Sequence, residues 1–158
     1  MSPNLTAYLQ NHEAAGQAGH DLFRRVASGQ RHRTYGRELH DLADEVRDDL
    51  ASLRTIMAET GVHPNPLLAM ALRIGERVGR LKPNGTLIRR APVTDLVEIE
   101  ALVTIVHAKR NAWTALAAVP HGREALDPGL LATMSGRADD QIDRLAIIHG
   151  AVSARLLS

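Results

Sequence analysis

The chain has 158 residues, of which 44% are hydrophobic and 23% charged, and this length and composition fit one globular domain over residues 1–158. It has no cysteine, which excludes disulfide frameworks, thiol nucleophiles and Cys-ligated zinc or iron–sulfur sites. A formal net charge of +1 and only 3% aromatic residues argue against a dedicated nucleic-acid binder.

The N-terminal residues lack the progression of a secretory leader, which runs from basic to apolar to small side chains. No stretch of about 18 uncharged apolar residues occurs along the chain. We therefore expect a soluble, cytoplasmic protein without a membrane partner.

Capping residues divide the chain into five helical segments. Three helix starts place a capping side chain before a proline at the first helical position: Ser2-Pro3, Asn65-Pro66 and Asp127-Pro128. Thr34 and Thr94 are further candidate caps, and glycines such as Gly29 and Gly61 are candidate stops. The pattern predicts helices over about residues 3–29, 34–60, 66–79, 95–119 and 128–157, and no sheet.

Apolar residues recur every three or four positions in the four long helices, which indicates the seam of a left-handed bundle. The first seam is Leu5, Leu9, His12, Gly16, Gly19, Phe23 and Val26; the second is Leu39, Leu42, Val46, Asp49, Leu53 and Ile56; the fourth is Leu131, Met134, Ala138, Gln141, Leu145, Ile148 and Val152. The third long helix is apolar around most of its circumference, at Leu96, Val97, Ile99, Leu102, Val103, Ile105, Val106, Trp113 and Leu116. We expect the crossover or a second copy of the chain to cover it, and we predict a homo-oligomer through this helix.

A long insert separates the second long helix from the third. Neighbouring helices in an up-down bundle are joined by a few residues, whereas an insert of this length lets the chain return along the whole bundle. We therefore predict two antiparallel hairpins in which the second and third long helices run parallel. In helix number, helix length and the position of this insert, the chain resembles the ferritin-like superfamily over nearly its whole length. The resemblance implies an all-α, ferritin-like four-helix bundle with a helix-containing crossover between helices 2 and 3.

The di-iron members of that superfamily need Glu-x-x-His pairs, and the chain has none. Polar residues nevertheless interrupt the seams near mid-height: His12, Glu13, His20, Glu45, Asp49, Glu100, His107 and Gln141. One interpretation is a set of hydrogen-bonded residues that fix the register of the helices. The others are a single divalent metal ion held by His12, Glu45, Asp49 and His107, and a metal-free polar pocket made roomy by Gly16 and Gly19.

Basic residues form two clusters that the crossover topology would bring to one end of the bundle. They supply the candidate anion-binding residues Arg25, Arg31, Arg33, Arg80, Lys82, Arg89 and Arg90. The alternative is that arginine is simply the solubilising cation that this chain prefers.

Two functions remain open. The first is a non-catalytic helical bundle without a cofactor, which self-associates and binds an anionic ligand or acidic protein, or scaffolds an assembly. The second is a ferritin-like metal-binding protein or oxidoreductase with an atypical central site. We favour the first because the ligand motif of the second is missing, and we expect the protein not to be an enzyme.

Overall fold

The computed structural model describes residues 2–68, 70, 93–119 and 126–158. These residues contain four long helices, α1 (Pro3–Gly29), α2 (Gly36–Glu59), α3 (Thr94–Ala117) and α4 (Pro128–Leu157), and no strand. Each long helix begins and ends within about two residues of its predicted bounds, and the all-α prediction is confirmed. Residues 66–68 are also helical, whereas most of the predicted helix 66–79 lies outside the described residues. None of the described helices contains an apolar stretch sufficient to span a bilayer.

Three predicted N-caps form as expected. The Ser2 hydroxyl accepts a hydrogen bond from the Leu5 amide at 3.2 Å. The Asn65 side-chain oxygen accepts from the amides of residues 67 and 68, and the Asp127 carboxylate accepts from those of residues 129 and 130. Each cap satisfies amides that have no partner inside the helix, so the local sequence alone fixes these starts.

The cap predicted at Thr34 is wrong, and so is the one at Thr94. Two tight turns occupy residues 30–36, with Arg33 N donating to Gln30 O and Gly36 N donating to Arg33 O, so α2 begins two residues beyond Thr34. A Cβ at Gly36 would lie 2.6 Å from the Gln30 carbonyl oxygen, which explains the glycine at this close approach. Thr94 is already helical, and neither α2 nor α3 receives a side-chain cap from the described residues.

Ion pairs and hydrogen bonds define the helix directions. In the first hairpin, Gln10 donates to the carbonyl of His63, Glu13 accepts from Arg54 and Gly16 lies beside Leu50, so α1 and α2 are antiparallel. In the second hairpin, Glu100 and Arg110 of α3 contact His149 and Asp139 of α4, so α3 and α4 are antiparallel as well. The hairpins also meet each other, since α1 packs against α3.

The second and third helices run parallel, as the length of the insert predicts. Arg33, just before α2, reaches Asp95 in the first turn of α3, and Asp49 further along α2 reaches Lys109 further along α3. Because both partners advance in the same direction, α2 and α3 begin at the same end of the bundle. This end therefore also carries the C-termini of α1 and α4.

The core follows the predicted seams in α2 and α4 and departs from them in part of α1 and α3. Every predicted seam residue of α2 and α4 is buried. In α1, His12 and Gly16 are only half-buried, and Glu13 and Ala14 are buried instead. In α3, Val103 and Ile105 pack at the edge of the core while Val97 is 54% exposed, so the buried surface of this helix is narrower than its composition indicates.

Candidate functional site

A buried carboxylate joins three helices at the centre of the bundle. Asp49 of α2 is 1% exposed, and it accepts hydrogen bonds from Lys109 Nζ of α3 at 2.5 Å and from Arg137 Nη1 of α4 at 2.8 Å. Lys109 also donates to the side-chain oxygen of Gln141, whose amide nitrogen donates back to Asp49 at 3.2 Å. A buried charge is tolerated only when it is paired, and here two cations and an amide share one carboxylate.

Arg144 of α4 extends this cluster towards the start of α2. Its guanidinium donates to Glu38 at 2.5 Å, to Glu45 at 2.7 Å and to Asp140 at 2.9 Å. Gln141 donates to Glu45 at 3.0 Å, which connects the two halves. We call Glu38, Glu45, Asp49, Lys109, Arg137, Asp140, Gln141 and Arg144 the central polar cluster.

The surroundings of Lys109 and Arg144 shift the pKa values of these two side chains in opposite directions. Burial lowers the pKa of Lys109, and the neighbouring carboxylate of Asp49 only partly opposes this effect. Burial also acts to lower the pKa of Arg144, but hydrogen bonds with Glu45, Glu38 and Asp140 outweigh it, so the pKa of Arg144 is raised. Arg144 therefore stays positively charged, whereas burial disfavours the charged form of Lys109.

The structure brings together only part of the predicted central layer. Glu45, Asp49 and Gln141 meet in the central polar cluster, whereas Glu13 pairs with Arg54 through hydrogen bonds of 2.6 and 2.9 Å. The His12 ring packs against the Tyr8 ring in a tilted arrangement, with 4.4 Å between the ring centroids and 55° between the ring planes. His20 is half-buried, and Glu100 is exposed beside His149.

The predicted metal ligands do not form one site. His107 is exposed on α3, and the carboxylates of Glu45 and Asp49 face arginine and lysine side chains. In the described part of the chain, no group of three or more His, Asp or Glu side chains is arranged to hold a metal ion. The hydrogen-bonded register interpretation therefore fits these residues better than the metal interpretation.

Sequence reasoning missed the cations of the central polar cluster, although the spacing contained a signal. Arg137, Gln141 and Arg144 recur at helical spacing along α4, and Glu38, Glu45 and Asp49 recur likewise along α2. Facing helices with complementary charge stripes are a recognisable pattern once the pairing of the helices is known.

A cavity of about 100 Å³ adjoins the cluster between α1, α2 and α3. Its walls are mainly apolar: Val46, Leu50, Leu53, Ile105, Val106 and Trp113. His12, Asp49 and Lys109 also line it. Burial lowers the pKa of His12, so its imidazole is uncharged at neutral pH.

The Trp113 side chain forms part of the cavity wall. The residue is 2% exposed, and its buried indole N–H has no hydrogen-bond acceptor among the described residues. Buried N–H groups are nearly always paired, so this one is an exception, and because the nitrogen has essentially no accessible surface it lies in the packed core rather than facing the cavity. Sequence reasoning treated Trp113 as a core residue only.

The end of the bundle that holds the start of α2 carries the other candidate site. Asp95 accepts a hydrogen bond from Arg155 at 3.0 Å and lies 3.9 Å from Arg33. Arg155 also donates to the Tyr35 hydroxyl at 3.4 Å, and Arg31 donates to the Ser28 carbonyl at 3.1 Å. We call Arg31, Arg33 and Arg155, with Asp95, the arginine-rich end.

The other predicted anion-binding residues are not part of the arginine-rich end as the structure describes it. Arg25 is half-buried. Arg80, Lys82, Arg89 and Arg90 lie outside the described residues. Arg155, from the last turn of α4, was not predicted, and it reaches this end because α4 returns beside α3.

Comparison of the chain with family models, with curated proteins and with solved structures finds no match.

Proposed function

We propose that this protein is a non-catalytic, ferritin-like four-helix bundle that binds an anionic partner at its arginine-rich end. The observation that carries the proposal is the arrangement around Asp95, where Arg33 and Arg155 share one carboxylate and Arg31 is paired only with a backbone carbonyl among its described contacts. Among Arg31, Arg33, Arg155 and Asp95, three side chains are positively charged and one is negatively charged, so positive charge is in excess.

The ferritin-like part of the proposal is supported by helix direction. Two antiparallel hairpins with parallel α2 and α3 are what a long crossover connection produces, and this connectivity is typical of ferritin-like bundles. The metal-binding alternative is supported less, because Asp49 and Glu45 are already paired with Lys109, Arg137 and Arg144. A cation entering there would have to displace those partners.

The arginine-rich end suits an anionic ligand for reasons of geometry and screening. Exposed guanidiniums present planar sets of N–H donors that match carboxylate and phosphate oxygens. Charges on one small surface act together within a Debye length of roughly 8 Å at physiological salt. An acidic protein surface or a polyanion would therefore bind here with marked dependence on salt.

The test is a titration with heparin, as a model polyanion, at low and at physiological salt. We expect the affinity for heparin to fall as the salt concentration rises. The Arg31→Ser/Arg33→Ser double variant should bind about tenfold more weakly, because fewer counterions are released from heparin when two guanidiniums are missing. The matched control is Arg47→Ser/Arg110→Ser, which removes the same charge from the exposed middle of α2 and α3. Equal weakening by both double variants, or no binding by the wild type, would refute the proposal.

A further inference from the structure

We infer that the cavity between α1, α2 and α3 binds a small apolar molecule of up to about four heavy atoms, such as a branched four-carbon hydrocarbon. This site lies in the middle of the bundle, so the inference does not depend on the arginine-rich end. It rests on the volume of the cavity, on the chemistry of its walls and on the partners that already occupy the charged groups beside it.

The volume of the cavity limits the ligand to a molecule smaller than benzene. The cavity has a volume of about 100 Å³. In other proteins a dry apolar cavity of roughly 150 Å³ binds benzene, which corresponds to about 25 Å³ for each carbon atom of the ring. By this proportion the cavity has room for about four carbon atoms. Six-membered rings, longer chains and nucleotides are too large.

The walls of the cavity are almost wholly apolar. Aliphatic and aromatic side chains supply most of them: Val46, Leu50, Leu53, Ile105, Val106 and Trp113. A hydrocarbon that enters gains dispersion contacts with these carbon atoms and gives up no hydrogen bond to water. The walls therefore favour an apolar ligand.

The charged residues beside the cavity already have partners. Lys109 Nζ donates to Asp49 and Gln141, and the other carboxylate oxygen of Asp49 accepts from Arg137. The His12 imidazole is uncharged at neutral pH, because burial lowers its pKa, so it does not attract an ion. A carbonyl or carboxylate in this cavity would lose hydrogen bonds to water that the apolar walls do not replace.

Water is the competing occupant, and the same walls disfavour it. A volume of about 100 Å³ corresponds to roughly three molecules of liquid water. Each buried water needs about two to four polar partners, which walls of this composition do not supply for three molecules. A hydrocarbon would therefore displace weakly held water, and such a displacement favours binding.

The cavity opens in the groove between α1 and α3. Ala15 of α1 and Ala108 of α3 both line it, and both are exposed to solvent. Ala112, about one turn beyond Ala108, also lines the cavity but is only 4% exposed. A ligand can therefore enter between the two exposed alanines, and a larger side chain at Ala112 would occupy the interior.

The test compares three probes that differ in polarity or in size. Trp113 reports on them, because it is the single tryptophan of the chain and its side chain forms part of the wall. Isobutene and acetone have the same number of heavy atoms and nearly the same shape, but only acetone carries a polar oxygen. Benzene is as apolar as isobutene but larger.

We expect isobutene to shift the ring resonances of Trp113 saturably in NMR spectra, with a dissociation constant on the order of 1 mM for so few atoms. Acetone should bind at least about tenfold more weakly, because its oxygen loses hydrogen bonds to water. Benzene should give no saturable shift with the wild type, because it exceeds the volume.

Two variants and one control test the position of the site. Ala112→Leu adds three carbon atoms to a cavity that holds about four, so it should weaken isobutene binding by about tenfold or more. Leu53→Ala removes three carbon atoms from the wall, which raises the volume to roughly 175 Å³ and should allow benzene to bind. Ala115→Leu is the matched control, since this alanine is exposed on α3 and does not line the cavity. Circular dichroism establishes that each variant is folded.

The inference is overturned by any of four results. Three concern the wild type: no saturable shift with isobutene, binding of acetone as tight as that of isobutene, and binding of benzene as tight as that of isobutene. The fourth is undiminished isobutene binding by folded Ala112→Leu. The first three need no variant, so they decide the question even where a variant fails to fold. The heparin titration concerns a different surface, so either proposal can fail without the other.

Discussion

Lys109 and Asp49 form an ion pair of 2.5 Å although 60 residues separate them along the chain. The pair joins the two hairpins at mid-height, because Asp49 belongs to the first and Lys109 to the second. Arg137 and Gln141 reach the same carboxylate from α4. A shift of one hairpin along the other by a helical turn, about 5.4 Å, would separate all of these partners, so this cluster fixes the register of the hairpins.

Removing the shared carboxylate should cost more stability than removing one of its cations. Asp49→Ala leaves Lys109 and Arg137 without their buried partner, and we expect the free energy of unfolding to fall by about 3 kcal/mol. Lys109→Met should cost less than about half as much, because Asp49 keeps Arg137 and Gln141 and methionine fills similar space. Urea denaturation of the two variants measures both values. A larger loss for Lys109→Met would show that Asp49 is not the centre of the cluster.

The parts of the fold that the sequence predicted are those with local causes. Ser2, Asn65 and Asp127 bind amides within three residues of themselves, so their roles can be read without any tertiary information. The apolar spacing of α2 and α4 is equally local. Thr34 failed as a cap because backbone hydrogen bonds among residues 30–36 determine where α2 begins, and these depend on Gly36 passing close to Gln30.

The candidate sites could be predicted only in part, because their residues meet through helix pairing. Asp49 was visible as a carboxylate in an apolar seam, but its partner Lys109 resembles any surface lysine until α2 and α3 are known to be parallel. Arg155 reaches Asp95 because the end of α4 returns beside the start of α3, which again depends on how the helices pair. The missing acceptor of Trp113 cannot be seen in a sequence at all, since it depends on every atom packed around the indole.

Acid should destabilise the protein through His12 and His20. Burial lowers the pKa of both side chains, so below their ordinary value of about 6.5 the unfolded chain binds protons that the folded protein does not. Stability is therefore complete above that pH and falls as the pH decreases towards the folded values. Between pH 7 and pH 5, His12→Gln should reduce the slope of unfolding free energy against pH. His107→Gln, on the exposed side of α3, is the control. If the slope is unchanged in His12→Gln, His12 does not contribute to the acid destabilisation.

Two glycines should respond to alanine with opposite signs. A Cβ at Gly19 would lie 2.8 Å from Cγ2 of Ile105, on a branched side chain that cannot rotate away easily, so Gly19→Ala should be destabilising. No described atom lies within 4 Å of a Cβ at Gly136, and Gly136→Ala should stabilise α4 by about 0.5–1 kcal/mol. Thermal or urea unfolding gives both signs. In an Ile105→Ala background the penalty at Gly19 should disappear, and its persistence would mean that α1 and α3 do not meet there.

Self-association should occur through the first turns of α3. Val93 and Val97 stand one turn apart and are 50% and 54% exposed, so they form an apolar stripe outside the core of the described residues. We expect light scattering at tens of micromolar protein to give twice the chain mass of 17.2 kDa. Val97→Glu should shift the protein towards the monomer, because a carboxylate would be buried in the contact without a partner. Ile147→Glu is the matched control, since Ile147 is 74% exposed on α4 rather than α3. A monomer mass for the wild type would show that the protein does not self-associate. Dissociation by Ile147→Glu but not by Val97→Glu would show that the contact lies on α4 instead of α3.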